Sequence, residues 1–130
     1  MKVLNFEDSV YKANAIRKIL GNRCGVASVE QVSNEEDGLK MLKDAENAGE
    51  PFNLIITDMH FPMRSGAISD TEAGEKLVQI LQEQGNQAKI IVCSSRNMKL
   101  PGVYGCIWYS EISDWEEELC DLVREMEKSK

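Results

Sequence analysis

The chain has 130 residues, 42% hydrophobic and 28% charged, with a formal net charge of −7. That length fits one domain, residues 1–130, with enough apolar side chains for a core. The acidic balance argues against a nucleic-acid backbone or an anionic membrane as the main partner, and no apolar stretch is long enough to span a bilayer. Four cysteines, at 24, 93, 106 and 120, form no CxxC pair and show no zinc-ligand spacing. Cys93 and Cys106 lie inside apolar runs and read as small core residues. No signal-peptide apolar segment follows Met1. The expectation is a reduced, cytoplasmic protein.

Taken in chain order, short apolar runs alternate with longer amphipathic ones. Lys2–Phe6 (KVLNF) reads as a first strand. Val10, Ala13, Ile16, Ile19 and Leu20 then recur at helical spacing until Gly21. Residues 25–29 read as a second strand. Ser33 with Glu36 three residues on forms a capping box for a second helix, whose apolar face is Leu39, Leu42 and Ala45. Residues 52–57 give the clearest strand, the third. A polar loop rich in turn formers follows, then a third helix with Ala73, Leu77, Ile80 and Leu81 on one side. Residues 89–93 and 104–109 are the fourth and fifth strands. The last helix buries Ile112, Trp115, Leu119, Leu122 and Met126. Continuous apolar strands alternating with helices predict an α/β fold: a doubly wound, five-stranded parallel sheet covered on both faces. In such sheets ligands bind beyond the carboxyl ends of the strands.

Three acids collect at that edge. The first strand runs out into Glu7-Asp8, and the third into Asp58. The fourth ends in Cys93-Ser94-Ser95, which adds hydroxyls. Three carboxylates in close reach repel one another unless a cation sits among them. An all-oxygen site that leaves room for water suits Mg²⁺. A carboxylate beside such an ion can attack phosphorus.

Over essentially its whole length the sequence resembles the receiver domain of bacterial two-component response regulators. The likeness rests on Glu7-Asp8 after the first strand, Asp58 with Pro62 four residues on, and Ser94 at the end of the fourth strand. The stretch from Asp58 to Gly66 keeps the Asp, Pro and Gly of the family pattern D-x-x-M-P-x-M-D-G, with Phe61 in the Met place. The resemblance implies that Asp58 is a phosphoacceptor, loaded from a histidine kinase or phosphotransfer protein. It implies Mg²⁺ held by Glu7, Asp8, Asp58 and the His60 backbone carbonyl, and a phosphoryl hydrogen bond from Ser94. It implies a flavodoxin-like form of the sheet and a self-phosphorylating switch that changes the binding of a downstream protein, not a turnover enzyme; with the acidic charge balance, no nucleic-acid or membrane partner is expected.

Two departures stand out. The family carries a lysine at the end of the fifth strand whose ammonium pairs with the phosphoryl oxygens; here that end reads Cys106-Ile107-Trp108-Tyr109-Ser110. Arg96, two residues past Ser94 on a free loop, is the expected substitute cation, ahead of Arg64 and Lys99, because a guanidinium fork suits phosphate oxygens. The stretch between Ser95 and Val103 is also too short for a full crossover helix, so the fourth helix is expected to be one turn or absent. These losses leave an alternative reading, a pseudo-receiver that binds a protein partner without phosphorylation. Two enzyme or cofactor readings fail on spacing. A cobalamin D-x-H-x-x-G motif would need glycine where Met63 stands, and a haloacid-dehalogenase D-x-D would need an acid at His60.

Overall fold

A computed structural model describes residues 1–128. The chain begins β1 (Lys2–Phe6), α1 (Val10–Asn22), β2 (Ser28–Val32), α2 (Glu35–Asn47) and β3 (Leu54–Thr57). It continues β4 (Phe61–Pro62), β5 (Ser69–Asp70), α3 (Ala73–Glu83), β6 (Lys89–Ser94), β7 (Gly105–Trp108) and α4 (Trp115–Lys128). The main sheet is wholly parallel, in the order β2-β1-β3-β6-β7. Register aligns Phe6 with Thr57 and Thr57 with Val92, so the residues just after β1, β3 and β6 share one rim.

Strand alternation divides the core into two layers. Val3, Leu54, Ile56 and Ile91 meet Ile16 and Leu20 of α1 and Leu119 and Val123 of α4. On the other face Leu4, Phe6 and Ile55 meet Leu42 of α2 and Leu77 and Leu81 of α3. β3 is buried at all four positions because helices cover both sides. As expected, residues 95–104 contain no helix, and the described residues form four helices in all. None of these is long and apolar enough to cross a membrane.

Several local readings are corrected. The second strand lies at Ser28–Val32, three residues beyond the expected 25–29. It is an edge strand, outermost in the order, and alternates exposed and covered positions. The more apolar run before it supplies Val26, which packs into the core from the connecting loop. Helix α2 is capped by Asn34, not Ser33: the Asn34 side chain accepts from the Asp37 N–H at 2.9 Å. Val10 and Ile112, both assigned to buried faces, are 69% and 83% exposed. The loop after β3 is not featureless either. Phe61–Pro62 and Ser69–Asp70 pair as a two-stranded antiparallel ribbon, with Phe61 fully buried against Phe6. Its turn needs Gly66, whose φ of 83° falls where side chains are strained, and Ala67 N–H donates to the Arg64 carbonyl across it.

The cysteines also differ from expectation. Cys93 and Cys106 are free, but Cys24 and Cys120 form a disulfide with a Cα–Cα distance of 5.5 Å. It ties the loop after α1 to α4 across 96 residues of chain. Closing so long a loop removes much entropy from the unfolded state, on the order of 4 kcal/mol in the chain-entropy picture. A reductant, or Cys24→Ala, is therefore expected to lower the melting temperature clearly. A melting curve indifferent to reductant would show that the bridge does not form in solution.

Candidate functional site

Two loops at the carboxyl rim of the sheet bring the acids together. Glu7 follows β1 and is 1% exposed, Asp8 is exposed, and Asp58 after β3 is partly covered. Oxygen atoms of the three carboxylates lie within 4.8 Å of one another. Each is placed by its local backbone. Asp58 N–H donates to the Phe6 carbonyl and Glu7 N–H to Val32, which extends the parallel ladders one residue past the strands. Asp58 Oδ1 then accepts from the Met59 N–H at 2.7 Å. Ser94, 2% exposed, ends β6 on the same rim, and its hydroxyl accepts from the Arg96 N–H at 3.1 Å. That contact uses an oxygen lone pair and leaves the Ser94 O–H free to donate.

The side chain that sequence reasoning missed is Lys12. It lies on the buried stripe of α1 with Ala13, Ile16 and Leu20. Its ammonium reaches into the acid cluster, 2.8 Å from Glu7 Oε1 and 3.4 Å from Asp58 Oδ1. It also donates to the Cys93 carbonyl at 2.6 Å and sits 5.3 Å from the centre of the Tyr109 ring. Glu7 is held from both sides, because its Oε2 accepts from the Ser9 N–H at 3.0 Å. Ser9 in turn caps α1 by accepting from the Lys12 N–H. The acid pair, the cap and the lysine thus form one folded unit.

The charges follow from this packing. Burial pushes the Glu7 carboxyl above its usual value, although Lys12 and the Ser9 N–H pull the other way. For Lys12, burial opposes the charge, but the Glu7 and Asp58 carboxylates beside it favour the charged form. Cys93 is a thiol at neutral pH, since burial pushes it up to about 12. At that pH the two carboxylates and the Cys93 carbonyl keep the proton on Lys12. A signal for this residue does exist in the sequence. A lysine four residues before Ile16 and next to Ala13 lies on a core-facing stripe, where a charge needs a buried partner.

No family model and no curated protein matches the sequence. Solved structures do match in shape. RcsB from Salmonella enterica serovar Typhimurium, bound to promoter DNA with a phosphomimetic, is 16% identical over 100% of this chain, with a TM-score of 0.70. The chain spans 63% of that RcsB chain. The signal receiver domain of an HD domain-containing protein from Pseudomonas fluorescens Pf-5 is 14% identical, with 98% of this chain and 94% of that one covered, at a TM-score of 0.72. The phosphorylated cyanobacterial phytochrome response regulator RcpA is 17% identical over 98% of this chain and 91% of its own, at a TM-score of 0.68. The chain has the fold of a response-regulator receiver domain.

Within that receiver fold the remaining expected residues sit as follows. His60 is half-buried on the turn between β3 and β4, with its ring nitrogen 3.5 Å from Arg96 Nη1. Arg96 is exposed and directed at His60, and among the described residues it makes no ion pair with Asp58. Arg64 and Lys99 are exposed as well. The fifth strand of the main sheet, β7, ends in Trp108, whose indole N–H donates to the Ser95 carbonyl at 3.0 Å. The cation beside Asp58 therefore comes from α1, not from the loop after β6. Donor chemistry fits Mg²⁺: the three candidate ligands are all carboxylates, and exposed Asp8 leaves space for the waters that ion retains.

Helix α3 presses on the same site. A Cβ at Gly74 would lie 2.6 Å from the Asp58 carbonyl oxygen and 2.8 Å from Met59 Cα, both backbone atoms. Gly74→Ala must move the helix or the loop after β3, at a cost of about 1–3 kcal/mol. Chemical denaturation should show that loss. An unchanged midpoint would mean that α3 can shift freely.

Proposed function

We propose that the chain is a receiver domain whose Asp58 accepts a phosphoryl group from a histidine kinase or phosphotransfer protein, and that this charge alters the binding of a downstream protein. The single observation that supports it most is the meeting of Glu7, Asp8 and Asp58 at the carboxyl rim of a receiver-type sheet, the rim on which β6 ends in Ser94. An Asp58 carboxylate oxygen attacks phosphorus, forming the P–O bond as the P–N bond to the donor imidazole breaks. The electron pair of that bond leaves with the nitrogen. The Ser94 hydroxyl donates to a phosphoryl oxygen. Asp8 and Asp58, with Glu7 behind them, would hold Mg²⁺, which supplies charge neutralisation for the incoming oxygens. The domain is consumed once per phosphoryl transfer and acts as a switch in a phosphorelay. In this reading it works in the cytoplasm, where kinase donors are.

Magnesium provides the first test. An ion bound only by the native state stabilises by mass action, about 2.7 kcal/mol at a hundredfold excess over Kd. Mg²⁺ should raise the melting temperature and a chelator should reverse it, while Asp8→Asn should blunt the response. Beryllofluoride added with Mg²⁺ should then change the tryptophan fluorescence, because Trp108 is bonded to the residue next to Ser94. If neither titration produces a response, the chain is a phosphorylation-independent interaction module.

A further inference from the structure

We infer that Lys12 is the residue that binds the phosphoryl oxygens on Asp58, supplying from the first helix the positive charge that the end of β7 does not carry. This rests on the reading of Asp58 as phosphoacceptor and adds a residue to it. Lys12 is 7% exposed, and burying an ammonium is costly unless acceptors surround it. Its ammonium has two short partners, an ion pair with Glu7 Oε1 at 2.8 Å and a hydrogen bond to the Cys93 carbonyl at 2.6 Å. The remaining contact, to Asp58 Oδ1, is 3.4 Å, longer than a good charge-assisted hydrogen bond. The ammonium is thus fixed by two groups that do not react and turned toward the one that does.

The other candidates are occupied or distant. Arg96 faces His60, and the side chains at the end of β7 are Trp108 and Tyr109. Among the described residues, Lys12 is the cation that forms an ion pair with Asp58. The charge count also agrees. Three carboxylates and one ammonium leave two net negative charges, which one divalent cation balances. Because Glu7 is engaged by Lys12 and the Ser9 N–H, Asp8 and Asp58 are left to hold that cation. A phosphoryl group on Asp58 then brings new negative charge to the fixed ammonium, and positioned charge of this kind costs no reorganisation on arrival.

Lys12→Met keeps length and removes charge. The experiment titrates Mg²⁺ alone, then beryllofluoride at saturating Mg²⁺, on wild type and variant. Beryllofluoride affinity should fall about tenfold or more, the size of one charge-assisted hydrogen bond. Mg²⁺ affinity should hold or rise, because the variant no longer places an ammonium beside the ion. A general loss of the pocket would instead weaken both ligands together, and that result overturns the assignment. Equal beryllofluoride binding in wild type and Lys12→Met overturns it too, while leaving the phosphoacceptor reading intact. If wild type itself binds no beryllofluoride, both fall. Should Lys12→Met unfold because Glu7 loses its partner, the same comparison is made in a Glu7→Gln background. There Lys12→Met must again weaken beryllofluoride, and equal binding refutes the role.

Discussion

Asp58→Asn will take no phosphoryl label from acetyl phosphate in the presence of Mg²⁺, under conditions that label wild type. The amide nitrogen of asparagine has no free pair to attack phosphorus, and the substitution also removes one of the three acids of the pocket. Label retained by Asp58→Asn would place the acceptor elsewhere, with Asp8 the first alternative. The stability of the same variant carries separate information. On the three acids alone, removing one should relieve repulsion and stabilise the metal-free protein. The 3.4 Å contact with Lys12 works against that gain, as does loss of the charge that strengthens the 2.7 Å bond from the Met59 N–H to Oδ1, an oxygen that asparagine keeps. A change within about 1 kcal/mol of wild type is expected, since the two effects oppose each other. Thermal melts with a chelator present will measure it.

Ile56→Ala should cost about 2–5 kcal/mol, the largest stability loss expected from a single truncation here. Ile56 is 0% exposed, lies in the middle strand of five and packs with the layer formed by α1 and α4. Its removal leaves a cavity between elements that cannot close independently, because β3 is hydrogen-bonded on both edges. A fall in melting temperature of about 10 °C follows from the size scaling of unfolding entropy. Ile68→Ala is the control. At 94% exposure it should stay within about 0.5 kcal/mol of wild type. If both variants melt alike, the core assignment of β3 is wrong.

Much of the architecture was legible because it is local. Each apolar run carries its own period, and a run such as Leu-Ile-Ile-Thr ending in Asp58 needs no partner to be read as a strand that stops at an acid. The acids and Ser94 share an edge because parallel strands all present their carboxyl ends on one side. Where the local signal was weak, the reading slipped. Residues 25–29 are more apolar than Ser28–Val32, yet the edge strand forms from the latter. Half of an edge strand faces water and needs no apolar run. Val10 and Ile112 fit a helical stripe by spacing, and only packing leaves them outside.

By itself the sequence determined the alternation of strands and helices, the lack of a full helix between β6 and β7, and the place of Asp58, Glu7, Asp8 and Ser94 at strand ends. These depend on chain order and on the period of each element. Tertiary structure alone decided which cation faces Asp58 and which cysteines meet. Lys12 interrupts an apolar stripe, and that interruption becomes a site only because α1 packs where β1, β3 and β6 end together. Cys24 and Cys120 are 96 residues apart, and their contact exists because α1 and α4 cover the same face of the sheet. Arg96 looked closer to Asp58 along the loop, but proximity in a folded chain is set by which faces pack together. A charge on a buried face must find its partner there or leave the core.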